Sequence, residues 1–273
     1  MKLSVITVNY NNKDGLEKTI LSVIDQLFKD YEFIVIDGGS TDGSTDIIKK
    51  YEDKITYWLS EKDKGTYHAM NKGIDVATGV YCYFLNSGDY LIDKHVFENI
   101  FKLPVQADIL SGNVLKIRKN GKFRTIVPHQ VPSLFKLCIH SLPHQASIIR
   151  RLLFKEVGYY NESFKIVSDF DFFLKALILH NKTYKRIDVN FSYFNLEGIS
   201  SNPKNSSLAK EESYTCLKEN FPQLVDDLME YRYFYISNIG QMIRLLQQKP
   251  RLYRVIENMC GWLISLKKKL VGK

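Results

Sequence analysis

Four short apolar runs in the first hundred residues constrain this chain most: LSVITV at 3–8, FIVI at 33–36, ITYWL at 55–59 and VYCYFL at 80–85. Each is rich in β-branched or aromatic residues and is bounded by polar turn residues, which marks strands. Between them, apolar residues recur at helical spacing, as in Leu16, Ile20, Val23, Ile24 and Leu27. Strands apolar on both faces, alternating with helices, imply a parallel sheet covered on both sides.

In such sheets ligands bind beyond the carboxyl ends of the strands. Asp37 and Asp89 both stand at that rim. Asp37 opens DGGSTDGS, with glycines for unusual backbone angles and a supply of Ser, Thr and Asp for capping the next helix. Asn11, Asn12 and Asp14 offer caps for the first helix, and helices follow at about 45–52 and 67–76. The run ending at Leu85 stops in Asn86-Ser87-Gly88-Asp89, either a polar turn or an ion or phosphate site.

After residue 105 the pattern changes. Residues 114–118 and 123–127 flank Asn120-Gly121 and read as a hairpin. Helices are expected at 147–156 and 168–179, the latter with Ser168 as N-cap, then a strand at 187–193 and mostly helix over 206–247.

No run of about 18 apolar residues predicts a spanning helix, and MKLSVITVNYNN turns polar too soon for a signal peptide. Cys82, Cys138, Cys216 and Cys260 are scattered without metal spacing, so a reduced, cytoplasmic setting is expected. The formal charge is +8, and from Lys249 onward seven basic residues face only Glu257. Leu252, Val255, Ile256, Met259, Trp262, Leu263, Leu266 and Leu270 recur there at helical spacing. This basic amphipathic helix suits an anionic membrane surface or a subunit contact through 249–273. Nothing resembles a nucleic-acid module.

Taken together, LSVITVNYNN, DQLFKDYEFIVIDGGSTDGSTDII and SEKDKGTYHAMNKGIDVATGVYCYFLNSGDYL resemble the inverting family 2 glycosyltransferases. LPHQASIIRR, VSDFDFFLKA and LEGISS look like acceptor-side elements of a branch that builds surface polysaccharides. The resemblance implies a GT-A fold: a Rossmann-like α/β domain with a mostly parallel central sheet flanked by helices, and a helical C-terminal extension. It spans 1–220, with a nucleotide-sugar half at 1–105 and an acceptor half at 106–220. Residues 221–273 form the extension.

What the resemblance implies about the site follows residue by residue. Asp37 would bind the base of a UDP-sugar, or a GDP-sugar, with Thr7, Val8, Asn9 and Gly38 lining the same pocket and Tyr10 packing beside it. Asp63 and Lys64 would lie near the ribose and phosphates, with Asn71 on the following helix. His68 stands where many relatives carry Asp, as a donor contact or a surface residue. Relatives carry a DxD-type motif at 86–89 that holds Mg2+ or Mn2+ on the diphosphate. Here Asn86 and Ser87 would touch the donor, and Asp89 would hold the cation with help from His144. Asp169 would be the general base, with Asp171 as rival, and residues 198–200 would close over the donor. The acceptor would be a glycan or lipid-linked saccharide, and the location cytoplasmic, peripheral on the membrane's inner face. A nucleotidyltransferase is disfavoured because VITVNYNN is not a Gly-rich basic phosphate loop. A donor-binding subunit with a decayed motif stays open.

Overall fold

The apolar runs form the strands they suggest. In the computed structural model, β1 (Leu3–Asn9) is buried along its whole length. It is followed by α1 (Lys13–Ile24), β2 (Tyr31–Asp37), α2 (Ser44–Lys50), β3 (Tyr57–Ser60), α3 (Thr66–Val76) and β4 (Tyr81–Phe84). The structure describes residues 1–104, 106–117, 123–195, 198 and 202–271, with the backbone alone for 117, 250, 251, 263 and 266–271. Strands β3, β2, β1 and β4 lie side by side and parallel.

Both faces of this parallel block are covered, which is why its strands lack the alternation of a half-exposed sheet. Leu3 and Val5 share one core cluster with Leu16, Ile20 and Val23 of α1. On the opposite face α3 comes so close that a Cβ on Gly73 would stand 2.5 Å from Ile6. Successive residues of β4 divide the same way. Tyr83 meets Phe97 and Phe191, whereas Phe84 meets Phe154 and Tyr160.

The second half makes the sheet mixed. It contains β5 (Tyr90–Leu91), α4 (Val96–Phe101), β6 (Ile109–Ile117), β7 (Phe123–Ile126), α5 (Leu134–Ile139), β8 (Ser147–Arg150), α6 (Leu153–Glu156), α7 (Ser168–Leu174), β9 (Tyr184–Phe194) and α8 (Ser206–Asn220). The order is β3-β2-β1-β4-β8-β6-β9-β5, with β7 on β6. The 114–127 hairpin pairs as expected, and its Asn-Gly turn lies outside the described residues. The helix expected at 147–156 is instead a strand and a short helix. Ser147-Ile148-Ile149 fills an antiparallel slot between β4 and β6, and that tertiary demand overrides the local pattern. Ser168 is the first residue of α7 and not its cap, which is Val167.

The chain divides into two compact units, Met1–Pro222 and Gln223–Lys273. The second consists of α9 (Val225–Ile236), α10 (Asn238–Gln247) and α11 (Pro250–Val271), with α10 packed on both others.

Within the first unit, α8 fixes where α7 begins. Buried Glu212 accepts the Lys165 and Ile166 N–H groups at 2.8 and 2.9 Å. Asp171, also buried, binds Lys175 Nζ at 2.6 Å and accepts from Asn220 Nδ2 at 3.1 Å. Glu212→Ala strands two backbone donors and removes a buried charge partner, so it should cost about 2–4 kcal/mol in urea unfolding. Exposed Lys210→Ala should stay within about 0.5 kcal/mol. Equal costs would show that Glu212 does not anchor this segment.

Candidate active site

β1 ends between two polar clusters. On the β2 side, Asp37 is fully buried, and both its oxygens are engaged. Oδ1 accepts from Asn9 Nδ2 at 2.7 Å and Ser40 Oγ at 2.6 Å; Oδ2 accepts from Ser40 N at 2.9 Å and Ser60 Oγ at 2.6 Å. Burial alone would push this carboxyl up, but the donors on Ser40, Ser60 and Asn9 outweigh it and hold the group below its ordinary value. Asp37 therefore organises the loop as an ionised hub, and a base reaching it must turn one serine hydroxyl aside. Gly38 faces Asp63: an added Cβ would stand 2.6 Å from Asp63 Oδ2 and 3.2 Å from Tyr10. Asp63 Oδ1 accepts from Gly65 N at 2.8 Å.

On the β4 side, residues 86–89 form a tight turn closed by Asp89 N–H to Asn86 O at 3.0 Å, with Gly88 at φ +99°. Val8 O accepts from Ser87 N at 3.0 Å, so the turn is tied directly to β1. Asn12, the N-cap of α1, donates to Ser87 O at 3.1 Å. Thr19 accepts from Gly88 N at 3.0 Å and lies 2.6 Å from Asp89 O. Asp37 and Asn86 flank β1 at one strand spacing on either side, about 10 Å apart.

Asp89 points inward. Its side chain is buried, and Oδ1 accepts from Asn195 N at 2.8 Å, pinning the turn to the end of β9. Burial pushes its carboxyl up to about 7, against the pull of the Asn195 N–H and of His144. His144 follows Pro143 in a 3₁₀ turn, His144–Ala146. Its Nδ1 lies 3.1 Å from Asp169 Oδ2, and its Nε2 lies 3.5 Å from Asn86 Nδ2. Asp169, in the first turn of α7, also accepts from Phe170 N at 2.9 Å and lies 3.2 Å from Tyr67 OH.

Several of the expected site residues already have protein partners in the structure. Asp89 turns its carboxyl toward the backbone of Asn195. The two ring nitrogens of His144 face Asp169 and Asn86. Asn71 spends its amide on Tyr160 and Glu162: Nδ2 donates to Tyr160 O at 2.9 Å and Glu162 Oε1 at 3.0 Å, and Oδ1 accepts from Tyr160 N at 3.1 Å. It anchors α3 to the segment before α7. Thr7 likewise gives its hydroxyl to Leu85 O at 2.8 Å. Lys64 is exposed, with its backbone N–H directed at His68 Nδ1. Asp171 is committed to α8. Of the loop expected at 198–200, residues 199 and 200 lie outside the described residues.

Among the described residues no three His, Cys, Asp or Glu side chains converge on a cation site. The Asn86 Oδ1, buried and without a partner, is an available oxygen in the turn. The turn thus fits a divalent cation carried in by a diphosphate, with Asn86 Oδ1 as its protein ligand, better than one held by the protein alone.

Asp89 gives a test by linkage. Its folded carboxyl titrates near 7, above its ordinary value of 3.8. The folded state therefore holds the proton longer, and this contribution to stability falls as pH rises between those values. Asp89→Asn removes the titration and keeps an acceptor for Asn195. The melting temperature of Asp89→Asn relative to the parent should climb as pH rises from 3.8 to about 7. A pH-independent difference would show that Asp89 is not held as a buried acid.

Residues 4–169 match the model of Glycosyl transferase family 2. An uncharacterized glycosyltransferase of Mycobacterium tuberculosis is 36% identical over 185 residues, 65% of this chain and 69% of the relative. A PGL/p-HBAD biosynthesis glycosyltransferase of Mycobacterium bovis is 30% identical over 179 residues, 63% of this chain and 68% of the relative. Among solved structures, residues 1–349 of S. aureus TarS in complex with UDP-GlcNAc align with a TM-score of 0.65 at 22% identity, covering 93% of this chain and 78% of that one. The mannosyltransferase PcManGT from Pyrobaculum calidifontis, in complex with GDP-Man and Mn2+, aligns at 0.60 and 16% identity, covering 100% and 88%. Those two likenesses show the fold. The family match over most of the chain's first unit, with relatives named for the same activity, establishes that the chain belongs to glycosyl transferase family 2 and is a glycosyltransferase of the GT-A fold.

Proposed function

We propose that this chain is an inverting hexosyltransferase that moves a sugar from a nucleotide sugar to a glycan or lipid-linked saccharide in cell-surface polysaccharide synthesis. One observation carries the reading. Asp169, partly exposed at the start of α7, is held across the sheet rim from the Asn86 turn by His144 and Tyr67.

In a single displacement the acceptor oxygen attacks the anomeric carbon as the bond from that carbon to the phosphate oxygen breaks. The bonding pair leaves on the nucleoside diphosphate, and the acceptor proton passes to Asp169. The loop of Asp37, Gly38, Ser40, Ser60 and Asp63 borders the base and ribose. Asn86, Ser87 and Lys64 stand toward the diphosphate. Mg2+ or Mn2+ arriving with the donor would rest on Asn86 Oδ1 and supply Lewis-acid stabilisation of the leaving group. TarS with UDP-GlcNAc and PcManGT with GDP-Man make UDP-sugars and GDP-sugars the donors to try first.

A membrane acceptor fits the second unit. From Arg232 onward nine basic residues face Glu257 alone, so this stretch carries the chain's whole formal +8. Ile239, Met242 and Leu245 of α10 and Leu252, Val255, Met259 and Trp262 of α11 are exposed, Trp262 to 66%. No described helix is long and apolar enough to cross a membrane. Exposed apolar side chains beside a basic excess suit docking on an anionic lipid surface.

Asp169→Asn should lower transfer by about 100-fold or more, with UDP or GDP affinity by calorimetry within about threefold. Retained turnover moves the base elsewhere. A parent enzyme that binds donor but neither transfers nor hydrolyses it would instead be a donor-binding subunit. Separately, the full chain should sediment with vesicles of phosphatidylglycerol and phosphatidylcholine but not with phosphatidylcholine alone. Lys249→Glu/Arg254→Glu and Trp262→Ala should each weaken that binding while activity on a soluble acceptor persists. Equal binding to both vesicles, or to neither, removes the lipid-docking reading.

A further inference from the structure

We propose that His144 is a positioning residue for the reaction, acting through Nδ1 on Asp169, and not a cation or phosphate ligand acting through Nε2. The inference rests on the reading of Asp169 as the base. An ionised carboxylate only accepts hydrogen bonds, so the 3.1 Å contact to Asp169 Oδ2 assigns the proton to Nδ1. The other ring nitrogen, Nε2, lies 3.5 Å from the Asn86 amide nitrogen. The positioning contact is thus the one to Asp169, and the 3.5 Å approach to Asn86 is too long to fix that amide.

The remaining contacts of Asp169 show what the ring contributes. Oδ1 takes the Phe170 N–H and shares the Tyr67 hydroxyl, which lies 2.7 Å from Ile166 O. Among the described residues, His144 is the side chain that meets Oδ2. It sets the rotation of the carboxylate, so that the second lone pair of Oδ2 stays available to an acceptor hydroxyl. Both side chains are partly open, at 16% for His144 and 19% for Asp169, so an acceptor reaches the pair.

The ring is itself held firmly. Pro143 O accepts from Ala146 N at 3.1 Å and from Ser147 Oγ at 2.9 Å. Gln145 O accepts from Tyr83 OH of β4 at 2.8 Å and Ser192 Oγ of β9 at 2.7 Å. Two separate strands of the sheet, β4 and β9, therefore clamp the turn that presents His144. A rigid support is what a group needs if it is to fix another group's orientation.

Two amides separate the two ring nitrogens. The side-chain nitrogen of Asn falls near the place of Nδ1, and that of Gln near Nε2. His144→Asn should keep kcat within about tenfold, whereas His144→Gln and His144→Ala should lose about 100-fold or more. UDP or GDP affinity should stay within about threefold in all three. The double variant His144→Ala/Asp169→Asn should be no slower than Asp169→Asn alone, because the two residues act as one unit. An active Gln variant beside a silent Asn variant, weakened nucleotide binding, or additive losses in the double variant would each overturn the proposal. Asp169→Asn with normal turnover would overturn the base reading as well, so the two failures are distinct.

Discussion

The site depends on β1 being buried from end to end between two parallel neighbours. Its backbone pairs with β2 up to Asn9 opposite Asp37, and Val8 O then takes the N–H of Ser87 from the turn after β4. The last two residues of one strand thus hold the loop that begins at Asp37 and the turn at 86–89 at fixed separation. The apolar flanks supplied by α1 and α3 leave β1 no freedom to shift register, because a one-residue slip would turn Leu3 and Val5 to the wrong face. Hydrophobic burial in this way sets the spacing of polar groups that themselves contribute little to the core.

The turn at 86–89 changes meaning in this setting. A single acid in a reduced DxD-type motif invites the reading of a surviving cation ligand. In the structure Asp89 meets the Asn195 N–H and braces the turn from behind, while Asn86 Oδ1 is buried without a hydrogen-bond partner. Removing two carboxylates from such a motif leaves less charge to hold a cation without a donor. The bracing of the loop through Asp89 does not depend on those carboxylates.

Much of this was legible from residue order, and the exceptions have physical causes. Runs such as FIVI and VYCYFL point to buried parallel strands because they are β-branched or aromatic, bounded by turn residues and alternate with helical stretches. SIIR does not reveal itself as β8, since a short apolar run serves a helix as well as a strand, and only the gap between β4 and β6 selects one. Asp169 could be singled out by resemblance to a known motif. Its partners could not, because Tyr67 is 102 residues away and reaches it only after α3 packs on β1. Asn71 shows the converse. A polar residue near a motif suggests a ligand contact, yet its amide matches the backbone of Tyr160 too well to be free.

If Asp169 removes the acceptor proton on the side opposite the leaving diphosphate, transfer is a single displacement. The anomeric configuration of the first-formed product, read by proton NMR coupling with a UDP- or GDP-sugar that the enzyme turns over, tests it most directly. Inversion relative to the donor is the expected result. Retention would contradict it, since the acceptor would then add on the face the diphosphate leaves from, where an Asp169 opposite that face cannot take its proton.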